Sequence, residues 1–317
     1  MAEILFIKTS SLGDVIHHMP AVTDTRRARP GDRLTWLVEE DCVPLVRLHP
    51  AVDAVIPVAS RRWRREGLMS PAVWREMAAF RHAVQAHRYD AVVDTQGLFR
   101  TGLMSWLARG LRHGYDRASI REPMASAFYN VRHAVSRDLH AIERNRRLSG
   151  LALGYAPQGA PDYGLERDAL RDRSAAPYAV LLHATARADK EWPVANWIGL
   201  KDALTRRDVD LLLPWGRDDE RERALRIADG LPRARVIDRL PLDGVARLIA
   251  GASFVIGVDT GILHLAAALG VPLVAIFAGS QPTLTGPVGS GPLEVVGTKG
   301  RPPSVDEVAQ ALARVVP

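Results

Sequence analysis

The chain has 317 residues, with 42 Lys and Arg against 36 Asp and Glu and a formal charge of +6 at pH 7. Its 47% apolar and 25% charged residues are those of a globular chain of about two domains, which excludes a disordered or fibrous one. One cysteine, Cys42, excludes an internal disulfide, and the absence of a basic leader or a run of ~20 apolar residues predicts a soluble, cytoplasmic protein.

The first predicted strand is "EILFI" (3–7). It runs into "KTSSLGDVIHHMP" (8–20), a turn that opens a helix. In a nucleotide-binding α/β domain, a glycine-rich loop at this turn usually cradles phosphate. Here it carries Gly13 followed by a carboxylate, Asp14, which suits a helix N-terminus but repels phosphate. Further strands are predicted at 33–39, 54–58 and 90–95, with a helix over 74–88. Between strand and helix lies "SRRWRR" (60–65); "IREP" (120–123) and "HAIERNRR" (140–147) follow. Arg61, Arg62, Arg64 and Arg65 around Trp63 could bind nucleic acid, or grip the carboxylates and phosphates of a smaller anion.

The segment 156–177, "APQGAPDYGLERDALRDRSAAP", breaks the alternation and reads as a linker. Beyond it, strands are predicted at 178–184, 209–215, 234–238, 253–260 and 272–278, with a helix over 194–208. Short unbroken apolar strands alternating with helices predict two Rossmann-like domains with parallel sheets, 1–160 and 176–303, facing each other across a cleft. "SVDEVAQALARVV" (304–316) reads as a final helix over 304–317, capped by Ser304 with Glu307 three residues on. A weak internal echo links "VVDTQGL" (92–98) with "GVDTGIL" (257–263), each reading strand, Asp-Thr, glycine, helix.

Three polar strand ends in the second half could form a nucleotide pocket. In "VDTGILHLAAALGVP" a helix starts at Thr260 or Gly261, and its first amides would receive an anion, with His264 one turn on. The plainer alternative is that Asp259 or Thr260 only caps that helix. "LLHATARADKEWP" offers Thr185 and Lys190, and "LLLPWGRDDERERA" offers several carboxylates for ribose hydroxyls. No metal-ligand pattern is present. The charge is uneven as well: residues 1–160 carry 23 Lys and Arg against 16 Asp and Glu, and residues 161–317 carry 19 against 20. An anionic partner for the first half, or a merely solvated arginine face, would explain this.

Together, "KTSSLGDVIHHMPAVTD", "RRWRR", "REPMASAFYN", "LHATARADKEWP", "LPWG" and "VDTGILHLAAALGVP" resemble the lipopolysaccharide heptosyltransferases, ADP-heptose glycosyltransferases of GT-B fold. The resemblance spans nearly the whole chain. It implies inverting transfer of L-glycero-D-manno-heptose from ADP-heptose to a Kdo sugar of Kdo2-lipid A, without metal or other cofactor. It implies Asp14 as catalytic base. Thr185, Ala186, Lys190, Glu220, Asp259, Thr260, Gly261 and His264 would contact the donor. Lys8, Ser11, Arg61, Arg62, Arg64, Arg121 and Arg144 would face the acceptor. Where close relatives often carry a second hydroxyl after Thr185, this chain has Ala186. The basic half would also suit peripheral docking on the cytoplasmic face of the anionic inner membrane rather than nucleic acid. Rival expectations are a heptosyltransferase of type II, a UDP-sugar epimerase of the same architecture, and a two-lobed binding protein in which Asp14 only caps a helix.

Overall fold

The computed structural model describes residues 1–67 and 70–317. They form two compact units, Met1–Gly164 and Leu165–Pro317. The first is built on β1 (Glu3–Ile7), β2 (Arg33–Glu39), β3 (Ala54–Val58), β4 (Arg88–Asp94), β5 (Arg109–Tyr115) and β6 (Val131–His133). These pair in the parallel order β3-β2-β1-β4-β5-β6. The second is built on β7 (Tyr178–Leu182), β8 (Asp210–Leu213), β9 (Ala234–Val236), β10 (Phe254–Val258), β11 (Leu273–Ile276) and β12 (Leu293–Val296). Their parallel order is β12-β11-β10-β7-β8-β9. Counted from its own first strand, each sheet has the doubly wound order 3-2-1-4-5-6.

Both sheets are covered by helices, so their central strands are apolar on both faces. All five residues of β10 are buried. In the second unit Leu181, Ile256 and Ile276 pack with Trp192, Trp197 and Leu312. In the first, Leu5, Leu37 and Val92 pack with Trp63, Val73 and Val84. The final helix, Val305–Val315, joins the second core through Val308, Ala311, Leu312 and Val315. Its expected capping box is present: Glu307 N donates to Ser304 Oγ at 3.2 Å, and Ser304 N to Glu307 Oε2 at 2.7 Å.

Three strands, β5, β6 and β12, lie outside the nine predicted ones. Their composition conceals them. β5, "RGLRHGY", is half polar, and its glycines answer to tertiary contacts: a Cβ on Gly110 would stand 2.3 Å from the Tyr89 carbonyl oxygen, and one on Gly114 would stand 2.2 Å from the Tyr129 ring. β6 and β12 are short edge strands. The predicted helix 194–208 is two helices, Val194–Gly199 and Lys201–Thr205, divided at Leu200.

The 156–177 segment is anchored on both sides of the unit boundary. Tyr163 is buried in the first unit. In the second, Arg167 donates through Nε to the Ala250 carbonyl at 2.9 Å and through Nη2 to that of Ala252 at 2.7 Å.

Several histidines are buried in neutral form. His49 sits between the Met19 carbonyl (3.3 Å) and Thr23 Oγ1 (3.1 Å) at Nε2, while its Nδ1 accepts from Ala51 N at 3.2 Å. A proton on Nδ1 would face that amide hydrogen, and burial already pulls the ring down to about 4. His113 and His183 are likewise lowered by burial to about 4. A histidine whose folded pKa is depressed binds its proton mainly in the unfolded chain, so stability falls as pH drops through the window from 6.5 to about 4. His49 alone accounts for ~3 kcal/mol across that window, at ~1.4 kcal/mol per pKa unit. Thermal melts of the parent from pH 7 to 4 should show this loss, and H49Q should flatten it measurably. Identical slopes would show that His49 plays no part.

Candidate functional site

In a doubly wound sheet, ligands bind at the carboxyl ends of the strands, where the strand order reverses. In the first unit that point lies between β1 and β4; in the second, between β7 and β10.

At the first point, β1 ends at Ile7 and the chain turns through Lys8–Ser11 into the helix Leu12–Ile16. Asp14 is the third residue of that helix, half-buried, and its Oδ2 accepts from Ser11 N at 2.8 Å and Ser11 Oγ at 3.3 Å. The carboxylate thus caps the helix and is fixed in orientation by doing so. It lines a polar cavity of about 600 Å³ together with Ser11, Arg64, Arg100, Arg121 and Glu122. Against the carboxylates of Asp14 and Glu122, the latter accepting from Phe99 N at 2.6 Å, the three guanidinium groups leave the lining net positive, which suits an anion.

The other expected acceptor residues are placed differently. Lys8 is buried and donates to the Thr95 carbonyl at 3.0 Å and to Asn145 Oδ1 at 3.4 Å. Burial lowers its pKa, opposed by the carboxylates of Asp14 and Asp94. Arg144 lies 4.7 Å over the Tyr115 ring and donates to the Ser119 carbonyl at 2.5 Å. Arg62 pairs with Glu40 at 2.9 Å, Glu76 at 2.7 Å and Glu66 at 3.4 Å. Since Trp63 Nε1 also donates to Glu76 at 2.7 Å, Arg62 locks the helix Ser60–Glu66 onto the helix Pro71–Gln85. Arg61 is exposed and stands outside the cavity lining.

At the second point the residues converge on Asp259. Its Oδ2 accepts from Lys190 Nζ at 2.7 Å and, closely, from Ser280 Oγ; its carbonyl accepts from Thr185 Oγ1 at 3.0 Å. These bonds tie together the loops that follow β7, β10 and β11. Thr260 is the N-cap of the helix Gly261–Ala268, with no side-chain cap bond. The Gly261 and Ile262 amides open that helix and have no preceding turn to donate to. His264 is buried one turn on, and Ala186 is exposed. Glu220 turns away from this group: its Oε2 accepts from Gly216 N at 2.8 Å and Arg217 N at 3.2 Å. A lysine, two hydroxyls and a helix N-terminus are groups of the kind that suit a phosphate, and Asp259 holds the lysine and both hydroxyls here. Among the described residues no three His, Cys, Asp or Glu side chains are grouped so as to hold a metal ion.

Sequence reasoning passed over Gln96, Arg100 and Ser280. Gln96 Oε1 accepts from Ser10 N at 3.3 Å, and Arg100 Nη2 donates to Ser10 Oγ at 2.5 Å. The echo "VVDTQGL" (92–98) contains Gln96 and stops two residues short of Arg100; it occupies in the first sheet the place that "GVDTGIL" (257–263) occupies in the second.

The sequence model of glycosyltransferase family 9 (heptosyltransferase) matches residues 77–311. The chain is 45% identical to the lipopolysaccharide heptosyltransferase 1 of Salmonella typhimurium over 90% of its length and 92% of that protein. To the enzyme of the same name from Escherichia coli K12 it is again 45% identical, over 90% and 91%. Its fold matches that of the E. coli heptosyltransferase WaaC with ADP, with a TM-score of 0.93 and 41% identity over 98% of this chain and 99% of that one. E. coli ADP-heptose LPS heptosyltransferase II shares the fold at a TM-score of 0.79 and 21% identity, over 99% and 98%. Two successive Rossmann-type units make this a GT-B chain. The chain belongs to glycosyltransferase family 9, the heptosyltransferases.

Proposed function

We propose that the chain transfers L-glycero-D-manno-heptose from ADP-heptose to a Kdo sugar of Kdo2-lipid A, with inversion at the anomeric carbon and without a metal. The observation that carries this reading is Asp14: a carboxylate fixed by its own helix cap inside a cavity also lined by the guanidinium groups of Arg64, Arg100 and Arg121. The names of the relatives support a heptose donor and a lipopolysaccharide product. One similar structure is the E. coli heptosyltransferase WaaC with ADP-2-deoxy-2-fluoro heptose, 40% identical over 98% of this chain.

In the proposed reaction Asp14 takes the proton of the acceptor hydroxyl as its oxygen attacks the heptose anomeric carbon. The bond from that carbon to the β-phosphate oxygen breaks on the opposite face, and ADP leaves. Lys190 and the amides of Gly261 and Ile262 offset the charge that builds on the pyrophosphate, the role a metal would otherwise fill. Asp259 positions Lys190, and Thr185, Thr260 and His264 belong to the same donor subsite. Glu220 reaches the donor only by releasing the 216–217 amides. On the acceptor side, Arg64 and Arg121 take Kdo carboxylates or lipid A phosphates. Lys8 and Arg144 support that wall from beneath, Ser11 positions Asp14, and Arg62 holds the helix that carries Arg61 and Arg64. The acceptor is a membrane lipid, so the enzyme works as a peripheral protein on an anionic membrane face.

The decisive experiment is ADP release with ADP-heptose and deacylated Kdo2-lipid A. A type II enzyme would require an already heptosylated acceptor, an epimerase would act on its nucleotide sugar alone, and a binding protein would release nothing. D14N should keep donor affinity and lose ~10²–10⁴-fold in kcat, the usual worth of a general base; turnover within a few-fold of the parent would leave Asp14 as a cap only. K190A should raise the donor KM and lower kcat, and EDTA should leave the parent rate unchanged. A rate lost in EDTA and restored by Mg²⁺ would end the metal-free mechanism.

The two arginines should separate. R64A should raise the acceptor KM several-fold with the donor KM unchanged, and added salt should mimic it, because exposed charges are screened over ~10 Å at 0.1 M. R62A should instead lower the melting temperature, through loss of the pairing with Glu40 and Glu76. Equal shifts of both KM values in R64A would remove the acceptor from this half.

A further inference from the structure

Beside the polar cavity lies a second one of different chemistry. It occupies about 530 Å³ between the helices Ser60–Glu66, Pro71–Gln85 and Phe99–Leu107, within the ~300–1,000 Å³ of sites that take a small ligand. Its walls are Trp63, Trp74, Met77, Phe80, Leu103 and Met104. Trp74 is 59% exposed and Leu103 44% exposed, a cost in water that a folded surface usually avoids at clustered positions. One wall of the groove is tied by side-chain contacts: the Trp63 and Phe80 rings meet edge to face at 5.8 Å, and Glu76 accepts from both Trp63 Nε1 and Arg62.

The groove adjoins the cavity around Asp14, since Arg64 and Arg100 line both. A ligand crossing from one to the other would have an anionic head beside the guanidinium groups and a hydrocarbon tail beyond them, running along the apolar stems of the arginines. We propose that this groove binds one acyl chain of the acceptor while the acceptor's sugar occupies the cavity at Asp14. The inference rests on the reading of the acceptor as an acylated sugar. A concave slot joined to the reacting centre suits the tail of the substrate itself.

Two substitutions at exposed groove positions test this without touching the core. A78W fills the slot from its rim, and L103E places a charge in it. The KM of an acceptor carrying its acyl chains, dispersed in detergent, is compared with that of the fully deacylated acceptor, with ADP release as readout. In both variants the ratio of acylated to deacylated KM should rise about tenfold over the parent. A ratio within twofold of the parent in both variants overturns the proposal. So does the same unchanged ratio accompanied by weaker co-sedimentation with acceptor-free vesicles of phosphatidylglycerol and phosphatidylethanolamine, which would make the groove a membrane contact. So does an unchanged ratio with an altered sedimentation coefficient, which would make it an interface between copies. Failure of the parent to turn over either acceptor would instead refute the acceptor assignment itself.

Discussion

Both binding regions depend on the reversal of strand order at the middle of each sheet. From β1 the chain first builds outward to β2 and β3, then returns to place β4 on the other side. The loops after β1 and β4 therefore leave the sheet in opposite directions and open a hollow at its carboxyl edge. The second unit repeats this with β7 and β10. The same place in the two sheets holds Asp-Thr, but the two carboxylates do different work. Asp94 is wholly buried and accepts from Gln96 N at 2.9 Å, Gly97 N at 3.2 Å and the Tyr129 hydroxyl at 2.7 Å. Burial raises its pKa, and those bonds oppose the rise. Asp259 holds a lysine and a serine from neighbouring loops instead. One fixes its own turn; the other aims a cation.

For Asp14, helix capping and base catalysis are compatible roles. The bonds from Ser11 N and Oγ engage Oδ2 and hold the side chain in one orientation, which a base needs if it is to meet a hydroxyl at hydrogen-bond distance. The short helix Leu12–Ile16 then presents that carboxylate from a buried segment: Gly13, Val15 and Ile16 are all inside. Capping therefore supplies the geometry, and proton transfer would use the oxygen that capping does not engage.

The buried strands were readable because each is a short apolar run between turn residues, and the resemblance of the loop motifs then supplied the candidate site residues. Geometry was less readable wherever a residue's partner lies far away in sequence. Nothing local in "RGLRHGY" announces a strand, since its glycines are set by Tyr89 and Tyr129. Nothing in "SRRWRR" separates Arg62, bound to Glu40 and Glu76, from Arg64, which lines the cavity. Ser280 joins Asp259 across 21 positions, a distance no motif window covers. Glu220, chosen as a strand-end carboxylate, was equally a first-turn residue able to satisfy its own loop amides, and that is where its Oε2 lies.

The uneven charge is subject to the same distinction. An excess of arginine over the first 160 residues reads as a general attraction for anions, but many of those cations are already paired. Arg26 is bound to Asp53 at 2.6 Å, and Arg146 to Asp24 at 2.7 Å with both side chains buried. Arg146 also donates to the Gln158 and Gly159 carbonyls at 2.9 and 3.1 Å, the added bonding that a buried ion pair needs to offset its desolvation. Arg146 thereby holds the 158–159 segment against the helix Met19–Ala28, and both paired arginines add little to the field outside. The field that a ligand meets comes from Arg64, Arg100 and Arg121 around one hollow. The charge presented beside Asp14 therefore depends on those three guanidinium groups more than on the formal charge of the half that carries them.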